Sequence, residues 1–239
     1  MAISWLAAND KISFPPLEHA TEHGLLAAGG DLSVTRLLTA YRLGIFPWFN
    51  QQDPILWWSP DPRMVLAPNQ LKISKSLNKK LRRGDFQVTF DTAFHDVMLA
   101  CAAPRFKQSS KTHDTWIHDE MISAYIDLHE KGYAHSVECW QDAKLVGGLY
   151  GVAIGKMFFG ESMFSFVTDS SKVALVALAQ QLQRWHFPLI DCQVHSDHLA
   201  SLGAKTLPRA DFIRCMQPLC DQNAVVEKWQ IDSDLPQPI

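Results

Sequence analysis

The amino-acid sequence predicts an α+β fold, with a small N-terminal domain followed by a larger domain built on a mixed, mostly antiparallel sheet. Strand patterns separated by very short gaps are typical of hairpins or a meander; they cover residues 135–140, 144–154 and 156–164. A nearly all-apolar helix at 173–185 follows, and such a helix should be buried. A strand at 189–194 and a short final helix at 197–202 complete an α+β order.

The N-terminal region contains one clear helix within a segment rich in Pro, Gly and Trp. Ser33 is a good capping residue for its start, and Gly44 follows its last turn. Prolines between residues 47 and 62 then exclude long regular elements. We therefore place the domain boundary here and predict domains at 1–62 and 63–239.

The region between this boundary and the meander alternates helices with a strand. The predicted elements are a helix at 71–83, a strand at 86–90, a helix capped by Asp91 and a helix at 119–131. In the first of these, Ile73, Leu77 and Leu81 fall on one stripe at helical spacing, which predicts a buried face.

Composition excludes several broad classes of protein. Hydrophobic residues make up 47% and charged residues 20%, which is typical of a globular protein. The net charge of −3 means that any contact with nucleic acid needs a local basic patch. The five cysteines contain no CxxC pair, the N-terminus lacks the pattern of a signal peptide, and no apolar run is long enough to span a bilayer. We expect a cytoplasmic protein without a membrane partner.

Common nucleotide and hydrolase motifs are missing from the sequence. It contains no GxxxxGK[ST], GxGxxG, GxSxG or HExxH. These absences give no sign of ATP hydrolysis, a dinucleotide, a serine nucleophile or zincin chemistry. A transferase without such motifs needs a donor that is already activated, and an aminoacyl ester is one.

Six segments, in order and compatibly spaced, carry a family resemblance. They are HGLLAAGGDLS (23–33), IFPWF (45–49), DPILWWSPDPR (53–63), VGGLYGVAIG (146–155), GESMFS (160–165) and LIDCQVHSDHLASLGA (189–204). Together they closely resemble the leucyl/phenylalanyl-tRNA–protein transferases of bacteria. That resemblance implies a small N-terminal domain and a C-terminal domain like those of the N-acetyltransferase (GNAT) superfamily, whose core order the predicted elements also resemble.

The resemblance also implies an activity. Members transfer Leu or Phe, and sometimes Met, from aminoacyl-tRNA to proteins that begin with Arg or Lys, which marks those proteins for degradation. The expected partners are therefore Leu-tRNA, Phe-tRNA and such acceptor proteins, and no cofactor or metal is expected.

Asp191 and Gln193 are polar residues two apart in an apolar strand, so they should share a face. They could simply bond a neighbouring loop, since buried polar groups need partners. The resemblance instead gives them the catalytic role of holding and deprotonating the attacking amine, whose free pKa is about 8. Whether Asp191 takes the proton or only orients Gln193 and the amine stays open.

Glu161 lies in an aromatic strand, where an unpaired carboxylate is unfavourable. An internal salt bridge is one explanation. The resemblance favours the alternative that Glu161 receives the cationic acceptor, with Ser162 adding a hydrogen bond.

Other residues are expected to hold the donor tRNA. The resemblance assigns the aminoacyl side chain to a pocket formed by Leu149, Phe158 and Leu178, although core packing also explains the two leucines. Trp48 and Trp116 would contact the terminal adenosine or the aminoacyl group, because aromatic rings stack on bases.

The basic face of the predicted helix at 71–83 is a second donor contact. Lys75, Lys79 and Arg82 lie roughly opposite its apolar stripe. We expect them to follow the tRNA backbone, against the simpler explanation of a solvated face.

Two other functions remain as alternatives. A CoA-dependent N-acyltransferase could use the same fold, but TDSSK at 168–172 stands where GNAT proteins carry a Gly-rich loop. A non-catalytic RNA-binding module would not need Asp191, Gln193 and Glu161 together. The cluster of Cys192, His195, Asp197 and His198 resembles metal ligands, but strand alternation turns Cys192 away from Asp191, so no metal is expected.

Overall fold

The computed structural model describes residues 3–8, 12–103, 117–223 and 227–234. Its strands are β1 (Ser4–Leu6), β2 (Leu25–Gly29), β3 (Phe46–Pro47), β4 (Leu56–Trp58), β5 (Arg63–Leu66), β6 (Gln87–Phe90), β7 (Ala134–Gln141), β8 (Lys144–Ile154), β9 (Met157–Ser165), β10 (Leu189–Gln193) and β11 (Lys205–Leu207). Its α-helices are α1 (Val34–Arg42), α2 (Lys75–Arg83), α3 (Phe94–Ala102), α4 (Asp119–Glu130), α5 (Ser170–Arg184), α6 (Asp197–Ser201) and α7 (Arg209–Cys220).

A small sheet forms the N-terminal part of the chain, in the order β1-β2-β4-β3. Strand β1 runs parallel to β2, and the other pairs are antiparallel. Helix α1 follows β2 and begins as predicted, because the Ser33 hydroxyl accepts a hydrogen bond from the backbone N–H of Arg36. The short strands were not predicted, since runs of two to five residues between prolines carry little periodicity.

The main sheet has seven strands in the order β11-β5-β10-β9-β8-β7-β6. All neighbours are antiparallel except β9 and β10, which run parallel. The predicted meander is confirmed as β7, β8 and β9, and α5, β10 and α6 follow it in the predicted order. The α+β class and the mixed, mostly antiparallel sheet are therefore confirmed.

Two apolar cores cover the two faces of this sheet. Helices α1, α3, α4 and α7 pack on one face, and α2 and α5 pack on the other. The first core is continuous with the small sheet, because Leu26 and Trp57 belong to the same cluster as Phe159 and Phe212. The first sheet ends at Trp58 and the second begins at Arg63, but the division into domains at 1–62 and 63–239 stays a prediction.

Some sequence-based boundaries and contacts were wrong. Helix α2 begins at Lys75, after the Ser74 cap, so Ile73 lies outside the helix and is 41% exposed. Asp91 does not cap α3; the Glu138 carboxylate accepts hydrogen bonds from the backbone N–H groups of Thr92 and Ala93 instead. These N–H groups precede the first turn of α3, whose start has no side-chain cap, so the predicted cap is absent.

The helix at 197–202 is not the final one, because α7 follows it. Pro218 lies inside α7. Because proline usually interrupts a helix, the sequence did not predict one here. The recurrence of Phe212, Met216 and Cys220 at intervals of four residues is the signal that would have found this helix, and all three are buried. No helix within the described ranges combines the length and apolar character that a membrane crossing requires.

Candidate active site

A cavity of about 490 Å³ opens where strands β9 and β10 separate. The parallel pairing ends at Asp191 and Phe159. Just beyond, the β8–β9 register shifts, so that Glu161 is the extra residue of a bulge. Gln193 follows a second register shift and has a positive φ of 62°. Bulges re-aim side chains, and here the side chains of Glu161 and Gln193 meet.

Glu161 is the centre of a hydrogen-bond network in this cavity. Its Oε1 accepts hydrogen bonds from the Tyr41 hydroxyl at 2.8 Å and from Gln193 Nε2 at 2.7 Å. Its Oε2 accepts one from the Tyr125 hydroxyl at 3.2 Å, and the two tyrosine hydroxyls also contact each other. These partners are all neutral, so no cation balances the carboxylate within this network.

Burial raises the pKa of the Glu161 carboxyl to about 7. The hydrogen bonds from the two tyrosines and Gln193 oppose this increase, and the negative charge of Asp191 adds to it. Burial also raises the pKa of Tyr41 and Tyr125 well above the ordinary range, so both hydroxyls remain protonated. Glu161 is therefore a carboxyl that gains and loses its proton near neutral pH.

Asp191 is fully buried and ion-paired. Arg63 donates to it through Nε at 2.8 Å and Nη2 at 2.6 Å, in a bidentate arrangement. The backbone N–H of Gln193 donates to the same carboxylate at 2.8 Å. Arg63 in turn lies 4.8 Å from the ring centroids of Phe46 and Phe212. Asp191 thus ties the end of β10 to a rigid cation, and its position is suited to holding Gln193 in place.

The predicted apolar residues all line the same cavity. Leu149, Phe158 and Leu178 contribute to its wall, as does the predicted acceptor contact Ser162. Further apolar lining comes from residues on β9, α5, β10 and α6, namely Met163, Leu175, Ile190 and Leu199. The cavity therefore combines an apolar recess with the polar cluster of Glu161, Gln193 and Asp191.

The remaining predicted residues lie elsewhere. Trp48 is 41% exposed, packs against Trp58 with ring centroids 5.5 Å apart, and does not line the cavity. Trp116 lies outside the described residues. The basic face formed by Lys75, Lys79 and Arg82 is exposed on α2 and is also not part of the cavity wall.

Three residues of the network were not predicted. Tyr41 lies in the predicted N-terminal helix, Arg63 at the predicted domain boundary, and Tyr125 in the predicted helix at 119–131. Each reaches its partner over a long sequence separation: 120 residues for Tyr41 to Glu161 and 128 for Arg63 to Asp191. The sequence carries no local signal for such contacts.

The described residues offer no group of three or more His, Cys, Asp or Glu side chains placed to hold a metal ion. Cys192 packs against the core on the opposite face from Asp191, as strand alternation predicts. His195 and Asp197 approach each other only to 3.9 Å, in an exposed pair.

Family comparisons match most of the chain. The family described as leucyl/phenylalanyl-tRNA protein transferase matches residues 65–217, and its N-terminal domain matches residues 30–61. A leucyl/phenylalanyl-tRNA–protein transferase of Nitrosomonas eutropha is 59% identical over 225 residues, which cover 93% of this chain and 94% of the relative. The leucyl/phenylalanyl-tRNA–protein transferase of Nitrosospira multiformis is 55% identical over 234 residues, which cover 97% of this chain and 98% of the relative.

The chain belongs to the leucyl/phenylalanyl-tRNA–protein transferase family. The predicted family is therefore confirmed, and with it the class of acyltransferases. The six motifs that predicted the family include both bulged segments, GESMFS and LIDCQVHSDHLASLGA, which together supply Glu161, Ser162, Asp191 and Gln193.

Two solved structures of other proteins also match parts of the chain. A GCN5-related N-acetyltransferase from Kribbella flavida matches with a TM-score of 0.33 and 12% identity, covering 70% of this chain and 57% of that one. L-PGS from Bacillus licheniformis matches with a TM-score of 0.37 and 8% identity, covering 73% and 57%. This chain thus aligns with a little over half of each of these structures.

Proposed function

We propose that this protein transfers Leu or Phe, and also Met, from aminoacyl-tRNA to the N-terminal amine of an acceptor protein. The observation that carries the proposal is a single cavity in which an apolar recess adjoins Glu161, a partly buried carboxyl with neutral partners. Acyl transfer from an ester to an amine needs both features: a dry site for the donor side chain and a group that takes protons from the acceptor.

The donor side chain fits the recess formed by Leu149, Phe158 and Leu178. Apolar burial of a Leu or Phe side chain contributes roughly 1.5–3 kcal/mol, and hydrophobic pockets discriminate only weakly between similar side chains. A recess of this kind therefore accepts several apolar donors. We propose that Trp48 and Trp116 contact the terminal adenosine or the aminoacyl group, and that Lys75, Lys79 and Arg82 follow the tRNA backbone.

The acceptor ammonium binds at Glu161. Because the carboxyl pKa of about 7 is close to that of an α-amine, about 8, proton transfer between them is nearly balanced and can be fast. The neutral amine then attacks the ester carbonyl carbon, forming the C–N bond as the bond to the ribose oxygen breaks. Of the two protons that the ammonium loses, one passes through Glu161 to the ribose oxygen and the other leaves to water.

Gln193 and Asp191 position the reacting amine. Since Gln193 Nε2 donates to Glu161, its amide oxygen faces away from the carboxylate and can accept an N–H of the acceptor. Asp191 holds the Gln193 backbone while both of its oxygens are engaged by Arg63. We therefore favour the orienting role for Asp191 and assign proton transfer to Glu161.

We further propose that acceptors begin with Arg or Lys and that Ser162 contacts them. The described lining of the cavity contains the Glu161 carboxylate, which no cation pairs within its network, and neither Lys nor Arg, which favours a positively charged peptide end. The modified protein would then be marked for degradation in the cytoplasm, as the family resemblance implies.

An acyl-CoA donor is disfavoured by the N-terminus of α5. Asp169 stands directly before this helix and pairs with Lys172 at 2.8 Å and Lys80 at 3.7 Å. A carboxylate there occupies the position at which helix dipoles otherwise attract phosphate groups.

A transfer assay tests the proposal. Purified protein is incubated without ATP with radiolabelled Leu-tRNA or Phe-tRNA and peptides that begin with Arg, Lys, Ala or Asp. We expect label on the Arg and Lys peptides, and none after nuclease treatment. Transfer from acyl-CoA, or tRNA binding with no transfer to any peptide, would overturn the proposal. Equal transfer to all four peptides would overturn the acceptor assignment alone.

A further inference from the structure

The back wall of the apolar recess is a single aromatic ring held between two neighbours. Phe158 is 1% exposed and lines the cavity. On one side it fills the space above Gly151, where a Cβ atom would lie only 2.5 Å from Phe158 Cζ. On the other side it contacts the Trp229 indole, with ring centroids 5.8 Å apart. The position of Phe158 therefore depends on Trp229.

Trp229 comes from the C-terminal segment of the chain, beyond the residues 65–217 that match the transferase family. It is 6% exposed, and its backbone N–H donates to Asp91 Oδ2 at 2.6 Å. Its indole stacks on His135, with centroids 3.8 Å apart and planes 6° from parallel. Asp91 also holds His135 through Nδ1 at 2.8 Å, so the indole is firmly placed.

Polar contacts to α5 hold the segment that follows Trp229. Gln181 and Asp232 form two hydrogen bonds, of 3.0 and 2.9 Å. Arg184 pairs with Asp234 through two bonds of 2.6 and 2.8 Å. These contacts are separate from the indole, so they can be altered without changing the aromatic wall.

A second cavity, of about 400 Å³, lies on the other side of Trp229. Its lining includes Trp229, His135, Ala153 and Phe187. Phe158 lines the first cavity, Trp229 lines the second, and the two rings touch. The aromatic pair is therefore a partition between the donor recess and an unfilled space behind it.

We propose that Trp229 is a specificity-determining residue that sets the depth of the donor recess by supporting Phe158. This inference rests on the proposed function, because it assigns the recess to the donor side chain. With the indole in place, Phe158 cannot move back, and a bulky bicyclic donor side chain is disfavoured relative to Leu. Without it, Phe158 can tilt into the vacated space and the recess deepens.

The test compares Trp229→Ala and Trp229→Phe with the wild-type protein. For each, kcat/KM is measured with Leu-tRNA and with Trp-tRNA as donors and an Arg-starting peptide as acceptor. We expect the ratio of Trp to Leu transfer to rise roughly tenfold in Trp229→Ala and by less in Trp229→Phe, since hydrophobic pockets discriminate by size to about this extent. A change in the ratio, unlike a loss of activity, does not follow from general destabilisation.

Asp234→Asn is the matched control, because it weakens the contact with Arg184 and leaves the aromatic wall unchanged; its ratio should equal that of the wild type. If thermal unfolding shows that Trp229→Ala does not fold, the ratio of Trp to Leu transfer is measured in Trp229→Phe and Trp229→Leu instead, and a rise is expected in both. Folded variants with the wild-type ratio would overturn the inference. A wild-type protein that transfers neither donor would refute the proposed function instead, which keeps the two failures distinct.

Discussion

At the scale of single residues, Glu161 has an unusual position because its partners are neutral. A carboxylate that is largely removed from water is stabilised by a cation, yet around the partly buried Glu161 the side chains of Tyr41, Tyr125 and Gln193 supply only hydrogen bonds. No cation therefore balances the charge of this carboxyl within the network. The proposed chemistry and the stability of the protein should both depend on its ionisation.

We expect kcat/KM for the acceptor peptide to fall about tenfold per pH unit below pH 7, because Glu161 with a pKa of about 7 then carries a proton and cannot take one. Glu161→Gln should lower kcat by roughly 10²–10⁴-fold. Rates measured between pH 5.5 and 8 with saturating Leu-tRNA test both effects. A wild-type profile that is flat down to pH 5.5 would exclude Glu161 as the proton acceptor.

The same carboxyl should reduce stability above neutral pH. Its pKa in the folded protein, about 7, is higher than its ordinary value of 4.5, so the folded state binds more protons and stability falls as pH rises through this range. In urea unfolding, Glu161→Gln should be more stable than the wild type by about 1–3 kcal/mol at pH 8 and equal to it at pH 4. Glu130→Gln, at an exposed position on α4, should change stability little at either pH.

At the scale of secondary-structure elements, the end of strand β10 determines how the site is assembled. The bulge turns Gln193 towards Glu161, and the pair of Arg63 and Asp191 fixes that conformation from behind. Because β5 supplies Arg63 and lies beside β10, a neighbouring strand controls the position of Gln193 relative to Glu161.

Variants of Arg63 and Asp191 should distinguish the effect of this ion pair on protein stability from its effect on the position of Gln193. Asp191→Ala should destabilise the protein by about 3–5 kcal/mol, because it leaves the buried Arg63 charge unpaired. The double variant Arg63→Met, Asp191→Leu should recover most of that stability but not turnover, since Gln193 would still lack its anchor. Urea unfolding and single-turnover transfer measure the two quantities. Recovery of turnover together with stability would show that Asp191 has no positioning role.

Helix α2 should contribute tRNA affinity without contributing chemistry. Changing Lys75, Lys79 and Arg82 together to Ala should weaken tRNA binding and reduce the slope of log K against log salt concentration by about 2–3, as expected for lost phosphate contacts. The rate of transfer from bound tRNA should change little. Lys131→Ala, at the end of α4 on the other face of the sheet, is the control. An unchanged salt slope in the triple variant would show that α2 is only a solvated surface.

At the scale of the whole molecule, the N-terminal region is part of the site. Helix α1 contributes Tyr41 to Glu161, and its core is continuous with that of the main sheet. Gly44 and Phe46 also contact Arg63, through a hydrogen bond of 3.0 Å and a ring at 4.8 Å. The small sheet and its helix therefore help to set both the position and the ionisation of the reacting groups.

Tyr41→Phe should shift the acid limb of the pH–rate profile to higher pH. The Tyr41 hydroxyl stabilises the Glu161 carboxylate and lowers its pKa, so removing it raises that pKa. Tyr125→Phe should act in the same direction through its bond of 3.2 Å. Tyr133→Phe, which alters a residue of the second cavity, should leave the profile unchanged. A downward shift in Tyr41→Phe would contradict this assignment of the network.

The sequence predicted most of the larger domain because its signals there are local. The alternation of β7 to β9 and the apolar composition of α5 arise from residues close together in the chain. Asp91 and α7 show the limit of that approach: the first was taken as a helix cap and the second was concealed by Pro218. Asp91 instead bonds to His135 and to the backbone of Ser136 and Trp229, contacts that local patterns do not reveal, whereas α7 carries a local signal in its buried residues that the proline outweighed.

For the site, the sequence by itself determined the family, the apolar residues of the recess, and the polar residues that interrupt apolar strands at Glu161, Asp191 and Gln193. Only the tertiary structure decided which charged or neutral groups surround each of these polar residues. Asp191 is neutralised by Arg63 while Glu161 has only neutral partners, and the proton affinity of a carboxyl depends on what surrounds it in space. The side chains that surround these two carboxyls lie between 32 and 128 residues away in the chain, and no local pattern encodes such contacts.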